Sequence, residues 1–138
     1  MKVILNKCFG GFDVSKEAYM LYAKKKGFKL YSYKDEWTHN KIIFKKDGDG
    51  IVDYYFTKDF GDAVNISNED CLKYGLRLNE DSRTDKVLIE VVEELGEKAS
   101  GRFGKLEVVE IPDNYYYIID EYDGVETIYY SASKIEEK

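Results

Sequence analysis

Residues 115 to 130 read Tyr115-Tyr-Tyr-Ile-Ile-Asp-Glu-Tyr-Asp-Gly-Val-Glu-Thr-Ile-Tyr-Tyr130. Asp123-Gly124 tolerates the positive φ angles of a tight hairpin turn, and apolar residues alternate on either side of it. One face of the outgoing strand, Tyr115 to Tyr122, carries Tyr115, Tyr117 and Ile119; the other carries Tyr116, Ile118, Asp120 and Tyr122. The return strand, Val125 to Tyr130, sets Val125, Thr127 and Tyr129 against Ile128 and Tyr130. Such a hairpin commits the chain to antiparallel sheet. Aromatic residues on both of its faces mean that each face is covered, by the core or by another molecule. The helices leave too little surface for that task, so Tyr115, Tyr117, Tyr129 and Tyr130 are expected to form the interface of a homo-oligomer.

The neighbouring segments extend this pattern. Leu106 to Ile111 reads as a strand stopped by Pro112-Asp113-Asn114. Before it lies the clearest helix, capped by Asp85. Val87, Leu88, Val91, Val92 and Leu95 make one apolar stripe, with Lys86, Glu90, Glu93, Glu94 and Glu97 opposite. At the other end of the chain, Lys2 to Asn6 is apolar on both faces around Val3-Ile4-Leu5 and reads as a central strand. The glycine turn Cys8-Phe9-Gly10-Gly11-Phe12 follows. Ser15 then caps a helix running to about Lys25, and Gly27 ends it as a left-handed residue. Phe28 to Tyr33 alternates as a strand. Lys41 to Lys46 and Ile51 to Phe56 flank Asp47-Gly48-Asp49-Gly50, which predicts a second hairpin. Thr57 to Thr84 is the least patterned stretch, with a short helix expected after Ser67 and ending near Gly75. The whole predicts a single α+β domain over residues 1–138: an antiparallel-rich sheet of about six to seven strands with two principal helices.

Composition narrows the chemistry. Of 138 residues, 21 are Lys or Arg and 27 Asp or Glu, for a net charge of −6, and 15% are aromatic. An acidic chain of this kind is not expected to bind nucleic acid in general, because phosphate neutralisation needs a basic surface. With two cysteines, Cys8 and Cys71, and one histidine, His39, neither a disulfide framework nor a four-ligand Cys/His zinc site can be assembled. The apolar run after Met1-Lys2 is too short for a secretory signal, and no stretch approaches the roughly 18 apolar residues of a membrane span. A soluble cytoplasmic protein with no membrane contact is the expectation.

The motif search is mostly negative. Asp47-Gly-Asp49-Gly50 lacks the later ligands of a calcium loop, and Gly96-Glu-Lys-Ala-Ser-Gly101 is followed by Arg102-Phe103 where a phosphate-binding loop needs Lys-Ser/Thr. No catalytic residue, metal ligand or cofactor is assigned. Two glycine turns and the few arginines remain. The chain has three arginines, Arg77, Arg83 and Arg102, of which Arg83 and Arg102 bracket the acidic helix. Lys7, Gly10, Gly11 and Phe12 offer an ammonium, backbone amides and a ring. Together with Arg83 and Arg102 they are the groups that a small phosphorylated or nucleotide-like ligand requires.

Asn6-Lys-Cys-Phe-Gly-Gly-Phe12, Arg83-Thr-Asp85, Leu88-Ile-Glu-Val-Val-Glu-Glu-Leu-Gly96, Glu97-Lys-Ala-Ser-Gly101, Leu106-Glu-Val-Val-Glu-Ile-Pro-Asp113 and Ile119-Asp-Glu-Tyr-Asp-Gly124 together resemble a family of small bacteriophage and prophage accessory proteins. The resemblance covers both ends of the chain and not residues 28–82. Family members often carry proline where this chain has Lys86. The resemblance implies a phage origin and an accessory role, and it carries no catalytic assignment. The leading expectation is a counter-defence protein that sequesters a nucleotide-derived signal in the bacterial host. The alternatives are an acidic, aromatic-rich inhibitor of a host defence effector or nucleic-acid-binding protein, and a small hydrolase.

Overall fold

The structure is a computed structural model and describes residues 1–38, 41–46 and 52–134. In chain order these form β1 (Lys2–Asn6), α1 (Lys16–Lys26), β2 (Tyr31–Thr38), β3 (Lys41–Lys46), β4 (Asp53–Phe56), β5 (Ala63–Val64), α2 (Asn68–Tyr74) and β6 (Gly75–Leu76). They continue with α3 (Lys86–Leu95), β7 (Leu106–Glu110), β8 (Tyr116–Tyr122) and β9 (Val125–Ser131), and single 3₁₀ turns occupy Glu80–Ser82 and Gly96–Ala99. All strand pairs are antiparallel, and the fold is α+β. The chain divides into two compact units, residues 1–22 with 78–138, and residues 23–77. His39 and the predicted Asp47-Gly48-Asp49-Gly50 turn lie outside the described residues, as does the end of the charged C-terminal tail.

In the first unit β1 pairs with β7, from Lys2 opposite Glu110 to Asn6 opposite Leu106. Because strand side chains alternate, β1 serves two layers at once. Val3 and Leu5 join Ile111 in a core onto which Val109, Tyr117, Ile119 and Ile128 pack, so the β8–β9 hairpin covers this face. Helix α3 packs on β1 and β7, and its Leu88, Ile89, Val91 and Val92 are buried. The apolar stripe predicted for α3 is therefore its core face, and the Asp85 carboxylate caps it by accepting from the Val87 and Leu88 amides at 2.9 and 3.1 Å. The Tyr22 hydroxyl donates to the other oxygen of Asp85 at 2.7 Å. Burial and this bond push the Tyr22 pKa up to about 12.

One expectation fails here. Val3, Ile4 and Leu5 are fully buried, yet β1 is not a central strand; its only strand partner among the described residues is β7. Its second edge is satisfied by a loop and by side chains, as set out below. The β8–β9 hairpin forms as predicted, with Asp123 at φ 50° and Gly124 at φ 92°, the two positive angles of a type I′ turn.

The second unit is a five-stranded sheet in the order β5-β3-β2-β4-β6. The predicted hairpin of residues 41–46 with 51–56 is corrected by this order: β3 and β4 each pair with β2, which lies between them. The second strand also begins and ends later than the Phe28 to Tyr33 expected from alternation. It continues through the charged run Lys34-Asp35-Glu36, whose pairing no local apolar pattern announces. In the unpatterned stretch, α2 appears where Ser67 predicts it, with the Ser67 hydroxyl accepting from the Asp70 amide at 3.1 Å. The core of this unit is aromatic. Phe56 lies edge-on to Tyr33, Phe44 and Phe60 with ring centroids 5.6, 6.0 and 5.5 Å apart. The buried Tyr33 hydroxyl accepts from the Phe60 amide and donates to the Gly61 carbonyl, both at 2.9 Å. A large share of the aromatic content is thus core rather than interface.

Candidate functional site

The glycine turn after β1 is held from several sides within the first unit. Asn6 has its side chain between loops: its amide group donates to the Cys8 and Gly124 carbonyls at 2.8 and 2.6 Å, and its side-chain oxygen accepts from the Lys105 amide at 2.9 Å. Gly10 sits at φ 130°, where a Cβ would lie 2.3 Å from the Phe103 carbonyl oxygen. Only glycine permits both that angle and that approach. The two glycine-rich segments and the Asp123-Gly124 turn therefore meet backbone to backbone.

Of the expected anion-binding groups, Lys7, Gly10, Gly11, Phe12 and Arg83 are brought together here and Arg102 is not, and most of those gathered are occupied. The Gly10 amide donates to the Asp123 carbonyl at 3.4 Å and the Gly11 amide to the Phe103 carbonyl at 3.2 Å. The Lys7 ammonium donates to the Glu126 carbonyl at 2.8 Å. Arg83 forms a bidentate pair with the Glu126 carboxylate, 3.1 Å from Nη1 to Oε1 and 2.7 Å from Nη2 to Oε2. Its Nε donates to the Glu80 carbonyl at 2.9 Å, and its guanidinium stands 5.5 Å from the Phe12 ring centroid. The Arg83 and Glu126 side chains are only 14% and 9% exposed. Arg102 is exposed beside the Phe103 ring, 5.7 Å from its centroid, and does not line the cavity described below.

This ion pair is also what completes β1. The Ile4 amide donates to the Arg83 carbonyl at 2.9 Å and the Ile4 carbonyl accepts from Arg83 Nη1 at 3.1 Å. The Asn6 amide donates to Glu126 Oε1 at 2.8 Å. An arginine and a glutamate thus take the place of a neighbouring strand at Ile4 and Asn6, in a strand buried from Val3 to Asn6.

Beside the pair lies a cavity of about 400 Å³ lined by Gly10, Gly11, Phe12, Glu80, Glu121, Gly124 and Glu126. The volume falls within the range of small-molecule sites. Its polar side chains are carboxylates. Glu126 is neutralised by Arg83, whereas Glu80 and Glu121 bring acceptor oxygens, one of which takes the Gly124 amide at 2.6 Å. Sequence reasoning missed all three glutamates, since nothing local distinguishes them from surface acids. The arrangement can accept hydrogen bonds from a ligand and lay a ring or apolar edge against Phe12. Among the described residues no group of three or more His, Cys, Asp or Glu could hold a metal ion, and no helix is long and apolar enough to cross a membrane.

The tyrosines separate into two sets. Tyr117 packs inward against the Val3–Leu5–Ile111 core, whereas Tyr115, Tyr129 and Tyr130 are 38%, 53% and 50% exposed. Compared with protein-family models, with curated proteins and with solved structures, the chain matches none.

Proposed function

We propose that this is a binding protein whose glycine-loop cavity captures the nucleoside portion of a small nucleotide-derived ligand. One observation carries the reading: a cavity of about 400 Å³ offers Phe12, glycine backbone and the carboxylates of Glu80 and Glu121, while Lys7 and Arg83 are engaged by neighbouring protein groups. Ribose hydroxyls and exocyclic amines are donors that carboxylates accept, as acidic residues do for a ribose elsewhere. Stacking of a base on an aromatic ring contributes roughly 1–3 kcal/mol. A phosphate group meets like charge at this cavity, so it points away from the glutamates. In the phage setting implied by the sequence resemblance, such capture removes a nucleotide-derived immune signal from the host cytoplasm.

Calorimetric titration of the full chain with adenosine, AMP, ADP-ribose and cyclic nucleotides tests this. The expected result is saturable heat with adenosine or another nucleoside and at least about tenfold weaker binding of its 5′-phosphate, a difference of about 1.4 kcal/mol. Glu80→Gln removes one charge from the lining and leaves the hydrogen bonds named above in place; it narrows that gap. Flat titrations at millimolar ligand across the panel refute the proposal, and tighter binding of the phosphate refutes its electrostatic basis.

A further inference from the structure

The polar groups around the glycine-loop cavity separate into those already bonded and those open. The Gly10 amide donates to the Asp123 carbonyl, the Gly11 amide to the Phe103 carbonyl and the Gly124 amide to the Glu121 carboxylate. The three lining glycines therefore keep no N–H for a ligand. Among the lining carboxylates, Glu126 uses both oxygens, on Arg83 and on the Asn6 amide. Glu121 has one oxygen on Gly124 and one open. The Glu80 carboxylate accepts no hydrogen bond among the described residues, so both of its oxygens are open. The backbone that carries it is fixed. Glu80 opens the Glu80–Ser82 turn, which the Asn79 side chain closes by accepting from the Asp81 amide at 3.0 Å, and the Glu80 carbonyl accepts from Arg83 Nε at 2.9 Å. Phe12 lines the same cavity with the Arg83 guanidinium over one face of its ring, which leaves the opposite face for stacking.

An ionised carboxylate presents two acceptors side by side and no donor. Guanine is the common base with two adjacent donors, N1–H and the N2 amino group, on a single edge. Adenine and cytosine set a ring-nitrogen acceptor beside their amino groups, and uracil sets a carbonyl on each side of N3–H. Against a carboxylate, each of those edges brings one lone pair onto another. Resting on the nucleoside capture proposed above, we infer that the base is guanine. Its N1–H and N2 amino group donate to the two oxygens of Glu80, its ring stacks on Phe12, and the open oxygen of Glu121 is left for a ribose hydroxyl. Both bonds to Glu80 are charge-assisted, the stronger class of hydrogen bond. The O6 and N7 acceptors of the base stay in water, because the glycine amides that could have met them are taken.

Equilibrium dialysis of the full chain with guanosine, inosine and adenosine tests the assignment. Inosine keeps N1–H and O6 and lacks only the N2 amino group. Guanosine is expected to bind at least about tenfold more tightly than either of the others. In Glu80→Gln the side chain offers one acceptor and one donor, which pair as well with adenine as with guanine and no longer need the N2 amino group. That variant should keep the wild-type circular dichroism spectrum and bring the three nucleosides to within about threefold of one another. Wild-type protein that binds inosine or adenosine as tightly as guanosine overturns the guanine assignment, needs no variant to do so, and leaves the nucleoside reading standing. A Glu80→Gln variant that retains the full preference overturns the placing of the base on Glu80. Absence of binding by all three nucleosides overturns both readings.

Discussion

Replacing Glu126 with alanine is the most informative perturbation of this structure. It removes both oxygens that accept from Arg83 and the acceptor of the Asn6 amide, in a side chain only 9% exposed. The Arg83 guanidinium is left with the Ile4 and Glu80 carbonyls and no counter-charge. Removing one partner of a buried ion pair costs about 3–5 kcal/mol, a large fraction of the roughly 5–15 kcal/mol that holds a domain folded. Native-state hydrogen exchange reads the effect where it arises. The Ile4 and Asn6 amides, bonded to the Arg83 carbonyl and to the Glu126 carboxylate, should lose protection by about two to three orders of magnitude at roughly 1.4 kcal/mol per tenfold. Glu126→Gln retains a neutral acceptor for both partners and should lose about half as much. The double variant Arg83→Met with Glu126→Leu relieves the unpaired charge but still strips the outer edge of β1, so it should recover only part of the loss. If Glu126→Ala destabilises by less than about 1 kcal/mol, or leaves these two amides as protected as before, then the pair does not substitute for a strand and the reasoning fails.

Two further outcomes follow from local geometry. Gly10→Ala must leave φ 130° or push its Cβ away from the Phe103 carbonyl, and a loss of roughly 1–3 kcal/mol in denaturant unfolding is expected. Gly11→Ala, whose Cβ would meet nothing within 4 Å, should stay within about 0.5 kcal/mol of wild type; equal effects at the two positions would refute the close-packing account. Tyr22, raised from 10.0 to about 12 by burial and by its bond to Asp85, contributes stability that is fully present below pH 10. That contribution fades as the pH rises towards 12, so the stability difference between wild type and Tyr22→Phe should shrink across this interval, and ultraviolet difference titration showing every tyrosine ionising near 10 would exclude it.

What the sequence made legible was chemistry contained within a few residues. Asp123-Gly124 is sufficient for the hairpin turn, Asp85 and the Val87–Leu95 stripe for α3, and Ser67 for α2. Features decided by distant partners were hidden. Glu126 and Arg83 lie 43 positions apart, and neither carries a local sign of burial. The glycine turn between residues 46 and 51 suggested that β3 and β4 pair with each other, but a strand has two edges, and β2 uses one for each of them. Strands β5 and β6 have two residues each, too few for any period to show. The shared character of Lys7, Gly10, Gly11, Phe12, Arg83 and Arg102 grouped them in the sequence, and the structure brings together all but Arg102, which lies beside Phe103. Which of those groups remained available was not, because that depends on carbonyls and carboxylates contributed by Asp123, Phe103 and Glu126.

The ligand chemistry proposed for the cavity follows from the same incompleteness of the sheet. A strand buried on both faces needs partners along both edges, and β1 has a strand along one. The loop from residue 80 to residue 83 and the β9 glutamate provide the rest, and doing so neutralises Arg83 with Glu126 before any ligand arrives. The carboxylates of Glu80 and Glu121 then set the character of the cavity wall. Counted from sequence alone, the region is a cluster of cations and glycine amides suited to phosphate. Once its internal bonds are subtracted, it is a surface of acceptors suited to donors. On the reading proposed above, the fold changes the sign of the preferred ligand group without changing a residue, and a nucleoside measured against its own phosphate is the comparison that tests this reversal.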